Sequence, residues 1–202
     1  MTDDSWEPEL DPEQRHLFEL LRGLREALRE DAHRRYGRVN PFAEDLLDWK
    51  EKGAYVGGVD VTVYDSTTVV GDVTIGDHTW VGPFCSLDGT GGLTIGRHCS
   101  ISAGTHLISH DTVRWALSGG TAAYEYAPIA IGDCTFIGAH SVVTRGVTIG
   151  EHCLVGAGSV VTRSLPPFTI AAGSPARQIG RVELADDGAV KLLYDDGSSP
   201  TL

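Results

Sequence analysis

Aliphatic residues recur at every sixth position along much of this chain. Val63, Val69, Ile75, Val81 and Leu87 stand six apart; Ile95, Ile101 and Leu107 resume the step after a two-residue slip; Ile131, Ile137, Val143, Ile149, Val155 and Val161 resume it after a longer gap. A period of six fits neither the 3.6-residue repeat of an amphipathic helix nor the two-residue alternation of a hairpin meander. It fits a short strand, a corner and a short strand on the next face, wound into a solenoid. A second phase supports this: four residues beyond the anchors stand Thr79, Cys85, Cys99, Thr105, Thr135, Ser141, Cys153 and Ser159, all small. Large aliphatics are expected to fill the axis, with small side chains beside them. The pairs Gly71-Asp72, Gly76-Asp77 and Gly132-Asp133 are expected to make the corners through positive φ or side-chain-to-backbone bonds.

The 202 residues, 41% hydrophobic and 22% charged, are enough for one domain with appendages. A net charge of −12 argues against general binding to nucleic acid or to anionic membranes. There is no apolar run long enough to cross a bilayer, so no membrane insertion is expected. Residues Met1 to Glu9 are acidic where a secretory leader would be basic and then apolar, so a cytoplasmic location is expected. Of the four cysteines, Cys85, Cys99 and Cys153 occupy the small-residue phase and are expected to pack in the core rather than act as nucleophiles or form disulfides.

The segments VTIGDHTWVGPFCS, LTIGRHCSISAGTH and IAIGDCTFIGAHSVVTRGVTIGEHCLVGAGSVV, followed by Ala171-Ala172-Gly173-Ser174-Pro175-Ala176-Arg177, resemble the hexapeptide-repeat acetyltransferases. The likeness spans Val63 to Arg177 and extends to the sugar O-acetyltransferases of the galactoside, maltose and surface-polysaccharide type. It implies an all-β solenoid, a left-handed parallel β-helix with three hexads per coil; the handedness comes from the resemblance alone, since general crossover rules favour the right-handed form. Around that core we expect an N-terminal α-helix and a C-terminal hairpin. The division reads as residues 1–55 for the helical appendage, 56–180 for the β-helix with a loop extruded at 108–130, and 181–202 for the hairpin and tail.

The helix is expected from Asp11, as N-cap, to about Tyr36. Pro12 takes its first position, Gly37 stops it, and Leu17, Leu20, Leu21, Leu24 and Leu28 share one face. It is the natural element to cover a solenoid end and to contact a neighbouring subunit. The hairpin is expected between Val182 and Tyr194, turning at Asp186-Asp187-Gly188.

Between Leu107 and Ile131 the hexad pattern is lost, and ISHDTVRWALSGGTAAYEYAPIA reads as a loop projecting from one edge. In the resembled enzymes such a loop carries the catalytic histidine, which matches His110. His78, His98, His140 and His152 all fall three after an anchor and read as corner residues, with His140 also near the stretch that lines the family's CoA cleft. His16 and His33 belong to the helix, and His106 is a possible substrate neighbour. Imidazole suits the task the resemblance implies: a base takes the proton of a hydroxyl as it attacks a thioester, then returns it to the departing CoA thiolate. Asp111 or a backbone carbonyl is expected to orient the ring.

The resemblance further implies acetyl-CoA as cosubstrate, lying between adjacent solenoids of a homotrimer. The matching positions are Gly138, Ala139, Ala157, Gly158 and Ala172 for pantetheine, and Arg163 and Arg177 for the phosphates, with Arg145 and Arg181 behind them. Asp88 sits in the slip, where related enzymes hold substrate with an acidic residue. Asp111, Trp115, Tyr124 and Tyr126 complete the expected acceptor site, the aromatics by stacking on a saccharide ring. No metal is expected. The reading is an acetyl-CoA-dependent O-acetyltransferase acting on a hydroxyl of a sugar or polysaccharide precursor. The alternatives are a serine or amino-sugar N-acetyltransferase, for which Asp111 and Glu125 would hold the ammonium; a γ-type carbonic anhydrase built on His106 and His110; and a non-catalytic scaffold.

Overall fold

A computed structural model of the chain describes residues 10–39, 49–185 and 188–197. By internal contacts the chain divides into two units, residues 1–48 and 49–202. In the first, helix α1 (Pro12–Tyr36) starts and stops where the residues require. The Asp11 carboxylate accepts from the Glu13 and Gln14 amides at 2.9 Å, and the Gln14 side chain accepts from the Asp11 amide in return. Gly37, at φ 64°, closes the other end. Leu17, Leu20, Leu21 and Leu24 remain exposed.

The second unit is the expected solenoid, made mostly of parallel strands. Phe136 pairs with Leu154, Val142 with Val160 and Ala130 with Thr148, so each regular coil takes 18 residues. Face one stacks the strands that begin at Thr62, Trp80, Ser100, Phe136, Leu154 and Thr169. Face two carries Thr68, Ser86, His106, Val142 and Val160 in register. Face three carries Thr74, Thr94, Ala130 and Thr148. Thirteen of the fourteen hexad anchors are almost fully buried on the axis; only Val69, in the first coil, is half-buried.

The small-residue phase does more than fill space. Thr79 and Thr135 each donate their hydroxyl to a carbonyl of the next coil, at Gly96 and Gly150, and accept from the next coil's Cys99 and Cys153 amides. Buried polar groups are thereby satisfied while coils are joined. Cys85, Cys99 and Cys153 are buried, and burial pushes each thiol pKa up, which suits packing and not nucleophilic attack.

The corners follow the sequence reading in part: Gly71 takes positive φ, and the Asp77 and Asp133 carboxylates accept from the Val59 and Arg97 amides at 2.6 and 3.0 Å. Positive φ is taken not by Gly76 or Gly132 but by the residue two further on, His78 and Cys134, and equally by His98 and His152. The glycines serve close approach instead: a Cβ on Gly132 would lie 2.4 Å from the Glu151 amide nitrogen of the next coil. His78 stacks on His98 at 4.9 Å and His152 on Phe168 at 5.0 Å, so these histidines face their own corner column.

The ends are closed by elements only partly legible in the sequence. Helix α2 (Trp49–Gly53) covers the first coil, with Trp49 stacked on Tyr64 at 5.0 Å and Tyr64 edge-on to Trp80. At the other end Thr169–Gly173 is followed by two antiparallel strands, Ala176–Leu184 and Val190–Tyr194, which form the expected hairpin. The first of these begins six residues before Val182, because it pairs back on the last coil. Asp186 and Asp187 of the expected turn lie outside the described residues. No helix among the described residues is long and apolar enough to cross a membrane.

Candidate active site

The slip and the long loop leave the solenoid at one and the same corner, between faces two and three, in consecutive coils. Parallel register sets Leu87 against Leu107 and Asp88 against Ile108, so the residues that follow each strand meet. The Asp88 carboxylate reaches Nδ1 of His110. It also accepts from the Thr90 amide at 2.9 Å, the Thr90 hydroxyl at 2.7 Å and the Ser109 amide at 3.2 Å. The buried Ser109 hydroxyl accepts from the Gly91 amide at 2.7 Å, which fastens the loop root to the slip.

Asp88 is only 6% exposed, and burial works to raise its pKa; the two bonds from Thr90, with the bond and charge of His110, outweigh burial and hold it below the ordinary carboxylate range. An ionised carboxylate is an acceptor only. Nδ1 of His110 therefore donates to it, so the neutral form of the ring keeps its lone pair on Nε2, on a side chain that is 37% exposed.

The loop has structure of its own. His110–Asp111 pairs antiparallel with Glu125–Tyr126, with His110 opposite Tyr126 and Asp111 opposite Glu125. Between them lies the short helix α3 (Val113–Leu117). Trp115 and Tyr124 meet edge to face at 5.5 Å, the Tyr126 ring lies 6.1 Å from that of His110, and all three aromatics are exposed by 41–54%.

The ring's partner is neither Asp111 nor a backbone carbonyl, the two expected, but Asp88. Asp111, the expected partner of His110, is turned away and bonds Arg145 and the Val113 amide; the Arg145 bond is the larger cause that holds its pKa low. Asp88, expected to face substrate, lies beside the histidine with its oxygens engaged. The sequence cannot show this, because the ring's partner is set by which coil lies beneath the loop and not by nearness along the chain.

The expected basic cluster also disperses. Arg145 bonds Asp111 and Glu125, Arg181 bonds Glu183 at 2.9 Å, Arg177 donates to the Ala176 carbonyl, and Arg163 is exposed at the loop's corner two coils on. The four are close in sequence but sit on different coils and edges. Gly138, Ala139, Ala157, Gly158 and Ala172, by contrast, are brought together along the corner between faces one and two, where the Gly158 amide donates to Ala139 and the Gly156 amide to Ala171. His140 lies in that column with its ring over Gly104. His106 is exposed on face two, and among the described residues no three His, Cys, Asp or Glu side chains form a group able to hold a metal. Thr90 and Ser109 were not singled out for the site from sequence, and Arg145 was expected behind the phosphate cations rather than at the loop; the available signal was that all three follow a face-two strand at the same corner.

Comparison with known proteins sets this parallel solenoid beside acyltransferases. Residues 128–163 match the hexapeptide repeat of succinyl-transferase. The chain is 33% identical over 132 residues to the galactoside O-acetyltransferase of Escherichia coli, covering 65% of this chain and 53% of that protein. It is 37% identical over 106 residues to a putative colanic acid biosynthesis acetyltransferase of Escherichia coli, covering 52% and 56%. Among solved structures, a mutant of an N-acyltransferase from Bacillus cereus, in complex with dTDP and coenzyme A, is 30% identical with a TM-score of 0.57, covering 61% of this chain and 71% of that one. This chain belongs to the hexapeptide-repeat acetyltransferase family. It spans about half the length of the curated relatives it matches.

Proposed function

We propose that this protein is an acetyl-CoA-dependent O-acetyltransferase that acylates a hydroxyl of a sugar or polysaccharide precursor. The observation that carries the reading is the Asp88–His110 pair, with Nδ1 protonated toward the carboxylate and Nε2 open on the loop. In the proposed reaction Nε2 accepts the acceptor's hydroxyl proton as its oxygen attacks the thioester carbonyl carbon. The tetrahedral adduct collapses with cleavage of the C–S bond, and the imidazolium returns the proton to the CoA sulfur. Asp88 stabilises the imidazolium and fixes the ring's tautomer, the part a buried carboxylate plays beside a histidine base.

Acetyl-CoA fits the column at Gly138, Ala139, Ala157, Gly158 and Ala172. A Cβ on Gly158 would meet no atom within 4 Å, so the turn leaves its backbone open to a slender chain. Arg163 and Arg177, both exposed, are the cations we assign to its phosphates. The column and His110 stand on different corners of the triangular section, so one cleft contains both only when the column of one copy faces the loop of another. A homotrimer is the closed arrangement we infer from this. Trp115, Tyr124 and Tyr126 offer exposed rings for a saccharide face beside the base.

The likeness to an N-acyltransferase raises an amine acceptor as the second reading. Asp111 and Glu125, the loop carboxylates that would hold an ammonium, are both bonded to Arg145, which favours the hydroxyl. The test is CoA release from acetyl-CoA with methyl glycosides and with their amino-sugar counterparts, for the wild type and His110→Ala. Turnover of glycosides that His110→Ala loses supports the reading; turnover confined to amines, or unaffected by the substitution, overturns it.

A further inference from the structure

Arg145 stands at the loop's corner one coil further on, and its guanidinium bridges the two strands at the base of the loop. Nε goes to Asp111 and Nη2 to Glu125 at 2.8 Å. Those two carboxylates are register partners, directly opposite each other in a pair whose only other rung is His110 with Tyr126. Like charges placed opposite on paired strands oppose the pairing, and so short a ladder has little else to hold it. The three side chains are 30–32% exposed, so their interaction is only partly screened by solvent. The other nearby cation, Arg114, is 75% exposed, lies 3.6 Å from Glu125 and acts on Asp111 through its charge only, as the last of the causes that hold that carboxylate low.

We propose that Arg145 is a positioning residue for His110. By neutralising the Asp111–Glu125 rung it keeps the base of the loop closed and sets the histidine's main chain, while Asp88 sets its ring. The proposal rests on the reading of His110 as the base. The histidine is then fastened from both sides, its ring from the coil before the loop and its backbone from the coil after it. Without Arg145 the two carboxylates face each other, the rung opens, and the bond from Nδ1–H to Asp88 is lost although both partners are still in the chain. The loop root has bonds of its own, from Ala127 N to Ser109 O and from Gly146 N to Ala127 O. The loss is therefore confined to the histidine rung, and the solenoid stays folded.

The test uses the full chain labelled with 15N-histidine and reads the Nδ1–H resonance of His110, assigned by its disappearance in His110→Ala. Arg145→Ala is expected to lose this resonance and to speed amide exchange over residues 110–126, with the Ala127 amide still protected by Ser109. Its kcat for CoA release with a methyl glycoside should fall roughly tenfold to a hundredfold, the scale of a small misplacement of a reacting group, with KM for acetyl-CoA unchanged. Arg145→Lys, a single point charge, should fall between. Arg145→Ala with Glu125→Gln, which removes the facing charge, should regain the resonance and most of kcat. Persistence of the resonance and of kcat in Arg145→Ala overturns the proposal, as does failure of the double variant to regain the resonance. If the wild type releases no CoA, the acetyltransferase reading fails, and the resonance still decides whether Arg145 positions the ring.

Discussion

Asp88 and His110 are 22 residues apart in sequence and bonded through Nδ1 of the imidazole, because the corner slip of one coil lies directly beneath the loop root of the next. The pairing gives His110 its tautomer. Asp88→Asn keeps the shape but offers an amide that can donate to Nδ1 and leave the proton on Nε2. We expect kcat for CoA release to fall by about 10²–10⁴-fold with little change in KM for acetyl-CoA. Steady-state kinetics with a glycoside acceptor checks this; equal kcat for the two proteins contradicts the pairing's role.

The same bonds tie stability to acid. The folded-state pKa of Asp88 lies below its ordinary 3.8 because the Thr90 and His110 contacts outweigh burial. Its contribution is thus complete above that value and is lost as pH falls through the lower, folded pKa. Asp111, held low chiefly by the Arg145 side chain, and Asp133, held low chiefly by the Arg97 backbone amide, shift the balance the same way. Thermal unfolding followed from pH 6 downward should show Tm dropping once pH passes below about 4. The Asp88→Asn variant should show a shallower drop, and parallel curves would count against this assignment.

Two substitutions separate the axis from the corner. Ile137 is fully buried, and Ile137→Ala should cost about 2–5 kcal/mol in urea unfolding. Gly158→Ala meets no neighbour but must hold φ 69°, so about 1–2 kcal/mol is expected. Calorimetric titration with acetyl-CoA should show weaker binding for Gly158→Ala. Undiminished affinity would remove this corner from the proposed CoA site.

The loop aromatics offer a test of the proposed acceptor site. Trp115→Ala and Tyr126→Ala should raise KM for a glycoside by roughly two- to tenfold, the worth of one ring contact. Tm should hardly move, since both side chains are largely exposed. A change in Tm with KM constant would mean that the rings serve the loop and not the acceptor.

Sedimentation bears on the proposed assembly. A trimer at micromolar concentration is expected, and a monomer that still turns over acetyl-CoA would show that one solenoid completes the cleft alone.

The winding of the chain was legible because it is written locally. One inward aliphatic in every six, with a small residue four further on, admits only a path that turns after each short strand, and the anchors from Ile75 to Val161 are buried accordingly. His110 was legible too, as the histidine of the segment where that pattern breaks. Helix α2 was not, since five residues carry no period, and neither was the positive φ that His78 and Cys134 take in place of Gly76 and Gly132.

Sequence by itself determined the coil, its interruption and the residue the interruption presents. Only the tertiary structure decided that Asp88 holds His110 while Asp111 turns to Arg145, and that the late arginines disperse. The physical reason is that hexad burial is imposed residue by residue along the chain. Side-chain partners at a corner depend instead on which coil is stacked next to which, and so on the full lengths of the slip and the loop that set that register.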